Sequence, residues 1–408
     1  MARSGLPWVL AILFVDIAGE GMVYPITPGF LQALGGGTAQ EAARLYGWSL
    51  ALYAGLTLFF APAWGVLSDR YGRRPILLLS VAGAALGNLL TAVAQNLELY
   101  FLGRVVAGAT SANLVVVNAY LVDVSPPEQR ARSFGLLGAV FGFGFVIGPA
   151  LGGLVSDWGL RAPFWAVAGL SALTFALALA LLPESLRPED RKKTLRWLEA
   201  NPFGALAALA RYPLLRPLGW TILLNSLAMN MLIAVWIPYG AYRYGFGPAE
   251  NGFVLAAFGL MSVLGQGLVV PWLVPRLGES RAILLGLGVS VLSLVLYGLA
   301  STPWTLLAAL AVSALGAVDE PALQAFISRN VRPDEQGSVQ GALATIGNLM
   351  GIVGPVAGTH LLSSFSGPQA VVELPGAPFF AGALCVSLGL GIAYRTLRCL
   401  APSKITGP

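Results

Sequence analysis

Five ionisable side chains sit inside runs of sequence that are otherwise apolar, and their chemistry is the first thing to account for. Asp16 and Glu20 are four residues apart and so share one face of a helix. Arg104 stands about two turns inside another run, and Asp319 and Glu320 are adjacent just ahead of Pro321. Ionisable groups at membrane depth are unfavourable and by default mark a pathway or a proton relay. A relay needs carboxyls that take and release a proton near neutral pH. Asp16, Glu20, Asp319, Glu320 and Arg104 are therefore predicted to form a proton-coupling set. For any single acid, a structural pair with Arg104 is the alternative.

The elements that must position these groups are runs of about 20 apolar residues, the length that crosses a bilayer as a helix. They fall at about 7–31, 46–67, 75–94, 98–122, 133–156 and 163–182, then at about 218–239, 251–273, 282–300, 303–328, 339–362 and 377–394. The sequence thus predicts an all-α membrane protein with twelve transmembrane helices. Counted from the ends predicted to be cytoplasmic, Asp16 and Asp319 both lie about ten residues in, roughly 15 Å along a helix.

Composition agrees. Hydrophobic residues make up 56% of the 408-residue chain and charged residues 11%, against about 25% charged in a soluble domain. The net charge of +5 does not point to nucleic acid, because the basic residues are scattered through short loops. With both termini placed in the cytoplasm, 20 of the 24 basic residues fall on that side and 3 outside, with Arg104 in a helix. Positive loops stay inside, so a multi-pass protein of the inner (plasma) membrane is expected. Residues 7–14 behind Arg3 look superficially like a signal peptide, but Asp16 and Glu20 interrupt the run, so it is read as a retained first helix. The two cysteines, Cys385 and Cys399, are too few for a disulfide framework or a thiolate metal site, and neither metal nor cofactor is expected. The lone His360 and the absence of a nucleophile with a nearby base argue against an enzyme. No Gly-rich Lys-Ser/Thr loop for an ATP-driven pump is present.

The longest cytoplasmic segment, 183–217, divides the helices six and six, giving predicted domains 1–182 and 218–408 with 183–217 as linker. Within it, Arg191 to Leu209 reads either as a short amphipathic helix on the membrane surface or as a plain tether. The halves are related. A shift of 206 places Leu67, Arg70, Gly72, Leu78 and Leu79 on Leu273, Arg276, Gly278, Leu284 and Leu285, and Pro127, Gly135, Gly148, Pro149 and Gly152 on Pro333, Gly341, Gly354, Pro355 and Gly358. That is the signature of two parallel six-helix repeats. The second copy has lost charge: Pro275 stands opposite Asp69 and Glu279 opposite Arg73.

Between the second and third runs lies Gly65 to Pro75, with Asp69, Arg70, Gly72, Arg73 and Arg74. A tight turn here needs a residue that tolerates positive φ, and Gly72 supplies it. Asp123, at the end of the fourth run, is within reach of these arginines and completes a predicted gate latch. The fifth run carries Gly144, Gly148 and Gly152 on one face with Pro149 and Gly153 beside them, a small-residue seam for close helix approach.

The Gly65 to Pro75 string resembles the loop between helices 2 and 3 of major facilitator superfamily (MFS) transporters. Gly148-Pro149-Ala150-Leu151-Gly152-Gly153 resembles the helix 5 signature of MFS antiporters. The likeness covers most of the chain and is greatest to the tetracycline/proton antiporter branch: Asp16 with Gly19, Gly21 and Pro25, Gly103-Arg104 with Gly108, Ala234 to Trp236, Gly278-Glu279, Pro321 to Gln324 and Gln336 to Gly341. The resemblance implies that helices 1, 4, 7 and 10 line a central cavity. It also implies a proton-coupled antiporter exporting a small amphipathic or cationic compound by alternating access. Asn113, Asn225, Asn230, Trp236 and Gln324 are the cavity-side candidates for binding it. Two departures stand out. Gly87-Asn88 replaces that branch's helix 3 acid, and Gly288 to Leu292 lacks its helix 9 acid. A tetracycline–metal chelate is accordingly predicted to be a poor substrate. The partners expected are a small molecule, protons and the bilayer, with the protein acting as a monomer. Other readings are an exporter of a native metabolite or lipid-like molecule, and a non-transporting receptor on an MFS scaffold.

Overall fold

The computed structural model describes residues 5–35, 37–194, 201–204, 206, 209, 211–212, 215–332, 335–368, 370 and 372–400. Within them, twelve helices are long and apolar enough to span a membrane: α1 Leu6–Val23, α2 Ala39–Tyr71, α3 Arg73–Val93, α4 Leu97–Val124, α5 Arg132–Trp158, α6 Ala162–Leu181, α7 Arg216–Tyr244, α8 Pro248–Leu277, α9 Glu279–Leu299, α10 Pro303–Arg329, α11 Gln336–Ser364 and α12 Ala377–Cys399. The middle of the amphipathic helix considered for Arg191 to Leu209 lies outside the described residues.

Local chemistry sets several of the helix starts. Thr38 and Glu41 form a reciprocal capping box at α2, the side chain of Asn96 accepts from the Leu99 N–H at α4, and Thr302 pairs with Thr305 ahead of Pro303 at α10. Each satisfies backbone donors that a helix N-terminus leaves unpaired. Many of the large apolar side chains point outward, among them Phe143, Leu268 and Leu299, each more than 60% exposed. In water such a surface would aggregate. In a bilayer it is the solvated face.

The chain packs as two compact units, Met1–Pro202 with Ile237–Leu260, and Phe203–Trp236 with Met261–Pro408. In the first, α1 lies against α5 and α6, and α3 against α4 and α6. Its buried aromatics include Tyr46, Tyr100, Tyr120 and Phe164. In the second, α9 packs on α10 and α12, with Ile283, Leu287 and Tyr297 fully buried. The end of α7 from Ile237 and the start of α8 therefore pack with the N-terminal helices, so the packing units do not follow the linker boundaries.

Among the described residues, three of the spanning helices are interrupted. α4 is two helices, Leu97–Thr110 and Asn113–Val124, broken at Ser111 and Ala112. α10 is likewise Pro303–Gly316 and Asp319–Arg329, broken at Ala317 and Val318. α8 takes a π-helical turn at Gly265–Val269, where Gly265 sits against the Ala314 carbonyl. Backbone irregular at membrane depth is tolerated where it is buried in protein or lines a cavity.

Candidate functional site

Asp16 and Glu20 stand one turn apart on α1 and border a polar cavity of about 30 Å³, room for about two waters. Tyr53, Ser80, Asn88 and Arg104 line it too. The Arg104 guanidinium lies 4.7 Å over the Tyr53 ring, and the Tyr53 hydroxyl donates to Ser111 Oγ at 3.1 Å and also reaches Glu20. Among the described ion pairs none joins Arg104 to Asp16 or Glu20, and Arg104 Nε is buried without a hydrogen-bond partner. The guanidinium acts on Glu20 through space and holds neither acid in a salt bridge. Asn113, 3% exposed, turns its side chain toward Asp16, and its Oδ1 has no hydrogen-bond partner.

In the second unit the two acids of α10 part company. Asp319 is 7% exposed: Ser290 Oγ donates to its Oδ2 at 3.0 Å, the Glu320 N–H donates to its Oδ1 at 2.6 Å, and the Asn225 side chain of α7 lies beside it. Glu320 is exposed, and Gln324 Nε2 donates to it at 3.2 Å. Asn230 turns its amide to the Ser226 carbonyl of its own helix at 2.8 Å. Trp236 is 3% exposed and packs edge-on against Tyr297 and Phe379, so its ring belongs to the core of this conformer.

The turn between α2 and α3 forms the densest ionic network. Gly72, at φ 106°, closes α2 and opens α3. Arg73 is buried; its Nη1 donates to Ser68 Oγ and Asp69 Oδ1, and its Nε to Asp123 Oδ2 at 3.2 Å. Asp123 thus meets Arg73 as its position in the chain predicts. Arg70 lies over the Tyr71 ring instead, and Arg74 caps the Leu179 carbonyl of α6 at 2.6 Å. Sequence reasoning missed the contribution of 183–192. Glu184 accepts from the backbone N–H of Arg73 at 2.8 Å and of Arg74 at 3.2 Å, Ser185 Oγ donates to Asp123 Oδ2, and Lys192 Nζ pairs with Asp69 at 3.0 Å. The Pro183-Glu184 step directly after an apolar run was the available signal. At the other end of the linker, the Tyr212 hydroxyl donates to Glu335, which raises the phenol above its ordinary range.

The α5 glycines are a seam against α1. A Cβ on Gly144 would meet Ile17, one on Gly148 would lie 2.5 Å from the Ala18 carbonyl, and one on Gly152 would collide with the Met22 carbonyl. Gly153 faces Ala249, and the Pro149 carbonyl abuts Gly252 of α8.

A helical membrane chain with internal repeats, an ionic network joining Asp69, Arg73 and Asp123, and acids within α1 and α10 matches the Major Facilitator Superfamily over residues 9–355 and 218–403. The chain belongs to that superfamily. Within it the chain groups with the tetracycline-resistance branch of drug/proton antiporters. It is 36% identical to the class C tetracycline resistance protein of Escherichia coli over 363 residues, 89% of this chain and 91% of that protein. It is 37% identical to the class G protein of Vibrio anguillarum over 365 residues, 90% and 92% of the two chains. The inward-facing, unoccupied structure of a bacterial homologue of the human lysosomal transporter Spinster shares the fold, with a TM-score of 0.76 over the whole of both chains at 16% identity. The protein is accordingly a multi-pass membrane transporter of this superfamily.

Proposed function

We propose that this MFS transporter is a proton-coupled antiporter that exports a small amphipathic or cationic compound by alternating access, with its termini in the cytoplasm. The observation that carries this reading is Asp16: an acid on α1, beside a small polar cavity, with a guanidinium nearby but no salt bridge. A carboxylate locked to a cation would lose that pair on protonation. Asp16 has instead an amide, hydroxyls and room for water, so it can take a proton without breaking an ion pair. Asp16 also stands where the sequence resemblance to the tetracycline/proton antiporter branch implies that branch's helix 1 acid.

Glu20 then supplies a second negative charge for a cationic substrate, and Arg104 limits how much charge the cavity holds. The Asp69–Arg73–Asp123 network serves as the latch of the inward gate, and the α5 seam lets α1 and α5 move as one. Alternating access couples the two flows without a continuous pore.

The test is transport by protein reconstituted in proteoliposomes under an imposed pH gradient, with ethidium as the cationic probe. Uptake that follows the gradient and collapses with a protonophore is expected. Uptake indifferent to the gradient, across a panel of cationic and neutral amphipaths, would overturn the reading.

A further inference from the structure

The breaks in α4 and α10 occur at the same register. The 206-residue shift that relates the halves carries Ser111 and Ala112 onto Ala317 and Val318, and Asn113 onto Asp319. The backbone repeats as well: Val116 N–H returns to the Ala112 carbonyl and Ala322 N–H to the Val318 carbonyl, both at 3.1 Å. Contacts of the glycine seams align α1 with α7. Gly152 abuts the Met22 carbonyl, and its counterpart Gly358 abuts the Met231 carbonyl. That step of 209 residues carries Asp16 onto Asn225.

The two alignments together disclose an exchange. In the first unit an acid on α1, Asp16, meets an amide on α4, Asn113. In the second an amide on α7, Asn225, meets an acid on α10, Asp319. Each unit holds one carboxyl and one carboxamide at the helix break, with the partners on opposite helices. Sequence alone hides this, because neither acid aligns with an acid.

An amide suits a carboxyl that must exist in two protonation states. Its NH₂ donates to the ionised carboxylate. When a proton adds to a carboxylate oxygen, the new O–H donates to the amide oxygen after the amide turns over. Neither state leaves the acid without a partner, which in a buried site would be costly. Asn113 shows the spare capacity directly, since its Oδ1 is buried and unpaired beside Asp16. Around Asp16 the charged and titratable groups are Glu20 on α1, Arg104 on α4, Tyr53 on α2 and Tyr24 at the end of α1. Around Asp319 they reduce to Glu320 on α10 itself, with Ser290 from α9 and Asn225 from α7 as neutral partners.

The geometry points to two carboxyl–carboxamide proton sites, Asp16–Asn113 and Asn225–Asp319, one in each unit, so that a full cycle can carry two protons. This deepens the antiport reading and rests on it for its use in transport. Asn113 and Asn225 are positioning residues. Asp319 becomes a proton carrier in its own right, separate from the exposed Glu320.

The test needs no substrate. Full-length protein labelled with ¹³C-aspartate is titrated from alkaline to acid, and the C=O stretch of protonated aspartic acid is followed by difference infrared spectroscopy. Asp16→Asn and Asp319→Asn should each remove one buried carboxyl component. The exchanged double variant Asp319→Asn/Asn225→Asp should restore the second, because the first unit already uses that arrangement. Asn225→Ala, which keeps the acid, should move the Asp319 titration midpoint. A spectrum unchanged by Asp319→Asn, or a midpoint unmoved by Asn225→Ala, would overturn the proposal. Failure of the antiport reading looks different: Asp319 would titrate as described, but transport would ignore the pH gradient.

Discussion

The Glu184 carboxylate sits on the first turn of α3 and accepts the backbone N–H groups of both Arg73 and Arg74. It comes from a segment more than a hundred residues later in the chain, so the linker itself completes this ionic network. An anionic acceptor at a helix N-terminus satisfies donors that the helix cannot.

Removing that cap should be felt in stability. Glu184→Ala leaves two partly buried N–H groups without an acceptor, a loss of about 1–3 kcal/mol, and frees Ser185 and Lys192 to drift from Asp123 and Asp69. Thermal unfolding of the detergent-solubilised protein should show a lower midpoint for Glu184→Ala, with Glu184→Gln in between. A midpoint equal to wild type would reduce Glu184 to a bystander.

Asp69 tests the latch through function. It pairs with Arg73, which is buried, and with Lys192, which is half exposed. Asp69→Asn is expected to slow ethidium transport roughly three- to tenfold, the equivalent of about 1 kcal/mol, with apparent affinity within several-fold of wild type. Lys192→Ala should do less, since that pair is the more solvated. Normal turnover in Asp69→Asn would leave the turn as a topology signal only.

The twelve helices and this turn are legible in the sequence because both rest on local rules: apolar length for the spans, and for the turn a glycine at positive φ among charges. Asp69, Arg73 and Asp123 are brought together by helices that the spans already define. What escapes is chemistry between distant segments. The Pro183-Glu184 step marks only the end of an apolar run, not the distant helix that Glu184 caps, and Ser290 carries no signal that it holds Asp319. Trp236 reads as a binding aromatic by type and place, yet its ring is spent on Tyr297 and Phe379. Asp319 and Glu320 look equivalent in sequence, but the α10 break buries one and exposes the other.

Orientation can be checked at the C-terminal end. Cys399 is exposed at the end of α12, whereas Cys385 lies within it, half-buried. The distribution of basic residues predicts a cytoplasmic Cys399. A membrane-impermeant maleimide should therefore label Cys399 in inside-out vesicles and not in intact cells. Labelling from outside would reverse the topology.

Tetracycline offers a sharp comparison with the relatives. Asn88 borders the Asp16 cavity and donates to the Ala84 carbonyl at 2.9 Å, within the Gly87-Asn88 step where the sequence resemblance implies an acid in that branch. A neutral amide there removes a negative charge that a metal chelate would meet. Tetracycline with a divalent metal should be taken up into inside-out vesicles far more slowly than ethidium. Robust proton-driven uptake would show that the missing acids are dispensable.

The roles of Asp16 and Glu20 can be separated by their neighbours. Asp16 has Asn113 as a partner suited to both of its protonation states. Glu20 has Tyr53 and the field of Arg104, and it is an addition to the branch's pattern. Asp16→Asn should therefore abolish the dependence of transport on the pH gradient while leaving downhill substrate movement measurable. Glu20→Gln should keep the gradient dependence and weaken binding of cationic probes about tenfold, the equivalent of about 1.4 kcal/mol, with neutral amphipaths little affected. Proton release on adding ethidium to solubilised protein gives the matching readout: greatly reduced in Asp16→Asn, retained at saturating probe in Glu20→Gln. Undiminished release in both would remove α1 from coupling and leave Asp319 to carry it.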